Sequence, residues 1–379
     1  MTSELSSLCS YAKGKVSVDT LSKRNYVSTE NMMPNKGGIV DAGALPSAQY
    51  TQQYIKDDIL VSNIRPYFKK IWMADDDGGC SNDVLVFRAD RGCDSTFLYY
   101  ILANDAFFNY ASATSKGTKM PRGDKTAIMQ YKVPCFNYET QLRIGKLLRS
   151  IDDRIAVNKK INDNLQQQLF SLYENMATAS PCLKEYTLSN LCDFQEGYVN
   201  PPQTHPEYFD GEVKWLRAVD INESFIIETS RTLTKAGFES AKKSALLFEP
   251  NTIAISKSGT IGRLGIIADY MCGNRAVINI APHDTNMLAF IYCFLKSKQR
   301  EFPDMAVGSV QKNLYVSLLE PLSVSIPDNE SLTAFNAVGA SILGMIHNNC
   351  VENTDLANLR DTILPKLMSG EIDVSAVQF

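Results

Sequence analysis

Between Asn137 and Met176 the apolar residues fall at alternating steps of four and three. The positions are Ile144, Leu148, Ile151, Ile155, then Asn158 and Asn162, then Leu165, Leu169, Leu172 and Met176. This is the a/d spacing of a long helix that packs along another helix. Two adjacent seam layers are asparagine, which costs stability but fixes register and partner. A shift of 191 residues gives Phe335, Gly339, Ile342, Ile346, Asn349, Asn353, Leu356, Arg360, Ile363 and Leu367. The asparagine layers recur in place, so the helix is one copy of an internal repeat.

The two helices suit an antiparallel pair. If Asn158 meets Asn353, then Asn162 meets Asn349, because both pairs of numbers sum to 511. Every seam position then meets a seam position, Ile144 with Leu367 and Leu165 with Ile346 among them. Two amphipathic helices on separate cores would not share polar layers at one offset. Gly339 and Arg360 stand where apolar residues are expected, so the ends of the second seam are expected to be looser or to face a partner.

The rest of the chain repeats too. Leu5-Ser6-Ser7-Leu8-Cys9 with Gly14 matches Leu188-Ser189-Asn190-Leu191-Cys192 with Gly197, and Cys80-Ser81-Asn82 matches Cys272-Gly273-Asn274 at an offset of 192. Strands are predicted over Asp58–Pro66, Val84–Phe87, Lys214–Val219 and Asn251–Ser256, and a helix over Thr96–Tyr110. Loops fill Asn31–Tyr54, where Gly37, Gly38, Gly43 and Pro46 interrupt any period. Strands at Val133 and Val324 lead into the long helices, with Asn137/Asp328 and Thr140/Ser331 at their starts. The fold class is therefore α/β: two mixed α/β domains separated by two long helices that form an antiparallel coiled coil with pseudo-twofold symmetry. The expected boundaries are 1–136, 137–179, 180–327, 328–370 and a tail at 371–379, with a small-residue connection over Ala177–Pro181.

Bulk properties narrow the function. At 379 residues, 44% hydrophobic and 21% charged, the chain has room for two cores. No apolar run reaches a membrane span, and Met1–Ser10 lacks the basic and apolar regions of a signal peptide. Nine cysteines without a C-x-x-C, and only three histidines, point to reduced thiols in a cytoplasm and away from a zinc site. With a net charge of −4, any nucleic-acid surface must come from local clusters or a partner.

Several clusters qualify. Ser115–Lys125 is Gly-rich and basic, with Lys116, Thr118, Lys119, Arg122 and Lys125 against one acid, Asp124. Its glycine and proline argue against a merely solvated helix face, and its cations suit phosphates or guanine. The matching loop holds Gln311, Lys312 and Asn313, whose amides suit adenine edges. Arg65, Tyr67, Lys69 and Lys70 follow a strand. Lys257-Ser258-Gly259-Thr260-Ile261-Gly262-Arg263 also follows a strand and is no P-loop, since no Gly-Lys-Ser/Thr follows. Its two glycines fit either a tight hairpin or close approach to a phosphate; Lys257, Ser258, Thr260 and Arg263 favour the latter. Arg217 lies upstream.

Catalytic signals are weak. Asn200-Pro201-Pro202-Gln203 has Gln where an amino-methyltransferase needs a stacking aromatic, and reads better as a turn. Glu212-Val213-Lys214 lacks the separate acid of a nuclease site. His205, His283 and His347 have no acid or nucleophile at a suggestive spacing.

With its domain–helix–domain–helix repeat the chain resembles the specificity (S) subunits of type I restriction–modification systems. Local sequence carries the resemblance as well: Glu139–Asn162 with Ile151-Asp152-Asp153-Arg154-Ile155, Trp215-Leu216-Arg217 with Ser256–Gly262, and Leu367-Met368-Ser369-Gly370-Glu371-Ile372-Asp373. The resemblance implies two target-recognition domains, each reading half of a bipartite double-stranded DNA site, with the paired helices as a ruler. It implies docking of two methyltransferase (M) subunits that bind S-adenosylmethionine and methylate adenine. It also implies two restriction (R) subunits that use ATP and Mg. This chain would itself catalyse nothing and hold no cofactor or metal. The 33-residue seam Ile144–Met176 would span about 50 Å at roughly 1.5 Å per residue, enough for half-sites about a 34 Å helical turn apart.

The domains diverge outside their framework, and Arg65-Pro66-Tyr67 has no visible copy, so an asymmetric target is expected. The rival readings are a stand-alone sequence-specific DNA-binding protein and an adaptor of another DNA-defence complex.

Overall fold

The structure is a computed structural model that describes residues 2–179, 184–309 and 311–375. Two compact units emerge: Met1–Arg154 with Leu356–Phe379, and Ile155–Asp355. Two long helices, Tyr138–Ala179 and Asn329–Ser369, contribute to both. Their starts are capped as the sequence suggests. The Thr140 and Ser331 amides donate to Asn137 Oδ1 and Asp328 Oδ1, each at 2.8 Å.

In the first unit, a four-stranded antiparallel sheet runs in the order Cys9–Tyr11, Val84–Ala89, Ile59–Ser62, Ile71–Met73. The central strands are continuous apolar runs because both faces are covered. Ile59, Val61, Leu85 and Phe87 face a core with Phe97, Leu98, Ile101 and Phe107. The alternate residues Leu60, Val84 and Val86 face Val27, Tyr54 and Cys80. Those belong to a second sheet in the order Lys15–Ser17, Tyr50–Tyr54, Gly78–Cys80, Tyr26–Val27. The helix expected over Thr96–Tyr110 is two helices, Ser95–Ala103 and Asp105–Ala113. Asn104 leaves the helical region and caps the second, accepting from the Ala106 amide at 2.9 Å.

The second unit repeats the plan. Its main sheet runs Cys192–Glu196, Val277–Pro282, Ile253–Ser256, Leu264–Ile267, Phe225–Ile226. Its smaller sheet runs Thr232–Leu233, Phe209–Leu216, Cys272–Gly273. The strand expected over Lys214–Val219 thus begins earlier and stops at Leu216. There the Arg217 amide donates to Asp220 Oδ2 at 2.9 Å and opens a single helical turn, Ala218–Asp220. Hydrogen bonds also correct the repeat offset. Ser81 donates to Val27 O and its carbonyl accepts from the Val84 amide; Asn274 does the same with Leu216 O and Val277. Ser81 therefore matches Asn274 at an offset of 193, not 192. The connection expected over Ala177–Pro181 runs into residues 180–183, outside the described residues.

The helices pair antiparallel. In the second unit Asn158 Nδ2 donates to Asn353 Oδ1 at 3.0 Å and Asn349 Nδ2 to Asn162 Oδ1 at 2.8 Å. In the first, Ile144, Leu148, Leu364 and Leu367 share one core with Phe97 and Leu98. The expected looseness at Gly339 and Arg360 is not found. A Cβ on Gly339 would lie 2.6 Å from the Ala289 Cβ, so the second long helix there touches helix Leu288–Lys298. Arg360 is ion-paired with Asp152.

Candidate nucleic-acid interface

The turn between strands Ile59–Ser62 and Ile71–Met73 is tight. Arg65 and Lys69 adopt left-handed φ of 50° and 52° around the single helical turn Pro66–Phe68. The basic loop docks against it. Lys116 and Arg122 exchange backbone hydrogen bonds of 2.8 and 2.9 Å, and Gly117, at φ 96°, allows the reversal between them. The Arg65 amide then donates to Pro121 O at 2.8 Å and Gly123 to Asn63 O at 3.1 Å. Two clusters distant in sequence become one surface.

The second unit builds the same surface. Strands Ile253–Ser256 and Leu264–Ile267 are joined by the turn holding Lys257, Ser258, Gly259, Thr260, Gly262 and Arg263. The loop with Gln311, Lys312 and Asn313 is closed by reciprocal Val307–Asn313 bonds of 3.0 and 2.9 Å, and Leu314 donates to Lys257 O at 2.9 Å. Val310 lies outside the described residues. Leu314–Lys257 matches Gly123–Asn63, so the Arg65–Tyr67 turn does have a copy: it is Lys257–Arg263. Sequence comparison misses this because the turns share position in the sheet but not residues.

Local electrostatics sort the cations. Lys70 Nζ donates to Thr29 O at 2.6 Å, and burial lowers its pKa. Lys69 and Lys36 both pair with Asp105, at 2.8 and 3.0 Å. Burial pushes that carboxyl up, but the two ammonium groups more than offset it and hold it below the usual range. Lys116 pairs with Asp124 and Arg122 with Asp83. Lys257 is mostly buried, 2.8 Å from Glu196 and 4.8 Å from the centre of the Tyr315 ring. Arg217 lies over Trp215 and donates to Ser230, just before strand Thr232–Leu233. Arg65 is half-buried, and its Nε has no hydrogen-bond partner among the described residues. Lys119, Lys125, Arg263 and Lys312 are exposed, with no ion-pair partner among the described residues. Exposed Thr118 and Thr260, with the tilted pair Tyr67 and Phe68, complete the two surfaces. Asn82 and Arg275, which the sequence analysis did not single out as contacts, are both exposed on the turn beside each hairpin. The 193 offset would have paired them.

The residues of the other motifs are engaged with neighbours in the fold. Lys214 lies within a strand and pairs with Glu228 and Asp269, at 3.2 and 3.0 Å. Gln203 accepts from Arg231 at 3.0 Å. His205 and His283 pair with Glu207 and Asp193, and His347 meets the Phe225 ring. Among the described residues no three His, Cys, Asp or Glu side chains are grouped to hold a metal, and no helix is long and apolar enough to cross a membrane.

The duplicated architecture has a counterpart among known families. The profile of the type I restriction modification DNA specificity domain matches residues 1–167 and 183–354. The chain belongs to this family. Among type I specificity proteins, it is 24% identical over 305 residues to the type I restriction enzyme MjaIX specificity subunit of Methanocaldococcus jannaschii, covering 75% of this chain and 70% of that one. It is 27% identical over 176 residues to the HindI specificity subunit of Haemophilus influenzae, covering 45% and 38%. The crystal structure of a type I restriction–modification S subunit from M. genitalium shares the fold, with a TM-score of 0.57 at 19% identity over 97% of this chain and 96% of that one.

Proposed function

We propose that this chain is the DNA-recognition subunit of a type I restriction–modification complex, reading a bipartite, asymmetric site in double-stranded DNA. One observation carries the reading: the same hairpin-and-loop surface is built once in each unit, on equivalent strands of its main sheet, with different side chains each time. A duplicated scaffold with divergent contacts suits two unlike half-sites. Exposed Lys119, Lys125, Arg263 and Lys312 meet phosphates, and polar side chains on the turns read base edges.

The chain works in the cytoplasm, with two M subunits and two R subunits docked on it. It supplies sequence choice and no chemistry. S-adenosylmethionine serves methylation of adenine on the M subunits, and ATP with Mg serves the R subunits.

The test is genome-wide adenine methylation on native DNA, with and without the gene. Loss of one split, asymmetric motif on deletion is the expected result. An unchanged methylome with M subunits expressed would defeat the reading and leave a stand-alone DNA-binding protein or another complex's adaptor.

A further inference from the structure

One turn has the same hydrogen-bond frame in both units and a different side chain at its tip. In the first unit, Ser81 donates to Val27 O at 2.9 Å, Val84 donates to Ser81 O at 3.0 Å, and Asn63 donates to Asp83 O at 2.8 Å. In the second, Asn274 donates to Leu216 O at 2.9 Å, Val277 to Asn274 O at 3.1 Å, and Lys257 to Ala276 O at 2.7 Å. A short side chain braces each turn from within: Ser81 Oγ accepts from the Asp83 amide at 3.2 Å, and Asn274 Oδ1 from the Ala276 amide at 3.0 Å. The residue at the tip is Asn82 in one and Arg275 in the other.

Both tips are exposed and sit beside the candidate interface. Asp83, next to Asn82, pairs with Arg122 at 3.1 Å. Ala276, next to Arg275, bonds to Lys257. Arg275 has no ion-pair partner among the described residues, so its five donors are uncommitted. Asn82 lines a cleft of about 350 Å³ together with Tyr50, Gln52 and Lys125. A forked donor group held at the tip of a rigid backbone frame, with a different residue in each unit, suits base reading, which needs fixed geometry, more than phosphate neutralisation, which does not.

We propose that Asn82 and Arg275 are equivalent specificity-determining residues, Asn82 pairing with an adenine in one half-site and Arg275 with a guanine in the other. This rests on the DNA-reading role proposed above. The chemistry is that of bidentate recognition: a carboxamide matches adenine N6 and N7, and a guanidinium matches guanine O6 and N7. An ammonium in place of the guanidinium keeps the charge but loses the fork.

The experiment uses the full chain with its M subunits in cells and reads adenine methylation. Asn82→Ala should make one adenine of one half-site degenerate. Arg275→Ala and Arg275→Lys should both make one guanine of the other half-site degenerate. Preference at that position should fall on the order of 10- to 100-fold. An unchanged motif overturns the proposal. So does Arg275→Lys behaving as wild type while Arg275→Ala lowers methylation evenly at all sites, since that is a phosphate contact. If Arg275→Ala methylates nothing, competition by the purified complex for cognate and single-base-changed duplexes decides: uneven loss supports base reading and even loss overturns it. A wild-type gene that yields a split motif keeps the specificity role intact whatever these variants do. A wild-type gene that yields none removes both.

Discussion

Arg360 and Asp152 meet at 2.6 Å in a helix seam that is otherwise mostly apolar. The other carboxylate oxygen of Asp152 accepts from the Tyr100 hydroxyl, also at 2.6 Å. Tyr100 belongs to helix Ser95–Ala103, so one carboxylate ties the recognition domain's helix to both long helices within the first unit. Positions shifted by 191 within the second unit are Leu343 and Leu169, both buried and apolar. The repeat is therefore polar at one end and greasy at the other, which distinguishes the two ends of the pair.

Removing one charge of that node should cost more than removing both. Arg360→Leu leaves Asp152 with a single donor in a half-buried site, at about 1–3 kcal/mol. The Arg360→Leu/Asp152→Asn double variant should recover part of the loss, because the uncharged amide no longer needs the cation while its oxygen still accepts from the Tyr100 hydroxyl. Denaturant titration of the four proteins checks this; strictly additive losses would show that the two residues do not interact.

The asparagine layers follow the same logic with a different readout. Asn162 is buried and its Oδ1 accepts from Asn349. Asn162→Ala strands the Asn349 amide and should lower stability by about 1–2 kcal/mol. Asn162→Leu/Asn349→Leu should be neutral or stabilising but should loosen register. A cysteine pair placed across the seam and oxidised would report this: one crosslink with the asparagines, slipped crosslinks without them. A single crosslink in the leucine variant would remove asparagine as the register device.

Much of this frame was legible because a long helix repeats its own rule for forty residues, so periodicity and offset reinforce each other. Asn158 and Asn162 gave register and direction together. Continuous apolar runs such as Ile59–Val61 marked central strands for the same reason. What stayed hidden was set by tertiary contact. Asn104 caps a helix in the middle of an apolar stretch. Gly339 breaks the apolar pattern because another helix needs the room. At the interface, composition found the cations but not their partners. Asp105, Asp83 and Glu196 neutralise Lys69, Arg122 and Lys257 across gaps of 36, 39 and 61 residues. The match between Arg65–Tyr67 and Lys257–Arg263 lies in backbone hydrogen bonds alone.

The cations accordingly divide into two groups that mutation should separate. Lys119→Glu should weaken DNA binding by the assembled complex for all sequences and reduce the slope of log affinity against log salt by about 1. Lys70→Met should instead unsettle the loop around Thr29 and lower the melting temperature, with little change in salt slope. Fluorescence anisotropy at several salt concentrations, with a melt alongside, checks both. A salt-slope change from Lys70→Met equal to that from Lys119→Glu would reverse the assignment.

Asp105 gives a pH signature. Its carboxyl is held below the ordinary 3.8 by Lys69 and Lys36, despite burial. A carboxyl lowered in the folded state stabilises above its unfolded value and loses that stabilisation as pH falls through the folded value. Wild type should therefore melt above Asp105→Asn near neutrality, and the gap should close as pH falls through the lowered folded-state value, below 3.8. A gap that persists at low pH would mean that the ion pairs are not its source.

Gly339 sets two known effects against each other. Alanine is worth about 1 kcal/mol over glycine inside a helix, so Gly339→Ala should stabilise if the methyl had space. It does not: its Cβ would lie 2.6 Å from the Ala289 Cβ and 3.4 Å from Leu169 Cδ1. Methyl against methyl leaves no flexible end to swing away, so helix Leu288–Lys298 must shift, at about 1–3 kcal/mol. The clash should outweigh the propensity gain, leaving the variant destabilised by about 1 kcal/mol. Gly339→Leu should fail more severely. Ala289→Gly/Gly339→Ala exchanges the small residue between the two helices and should return close to wild type. Thermal melts of the three variants check the order; a Gly339→Ala protein more stable than wild type would mean that the helices do not approach this closely.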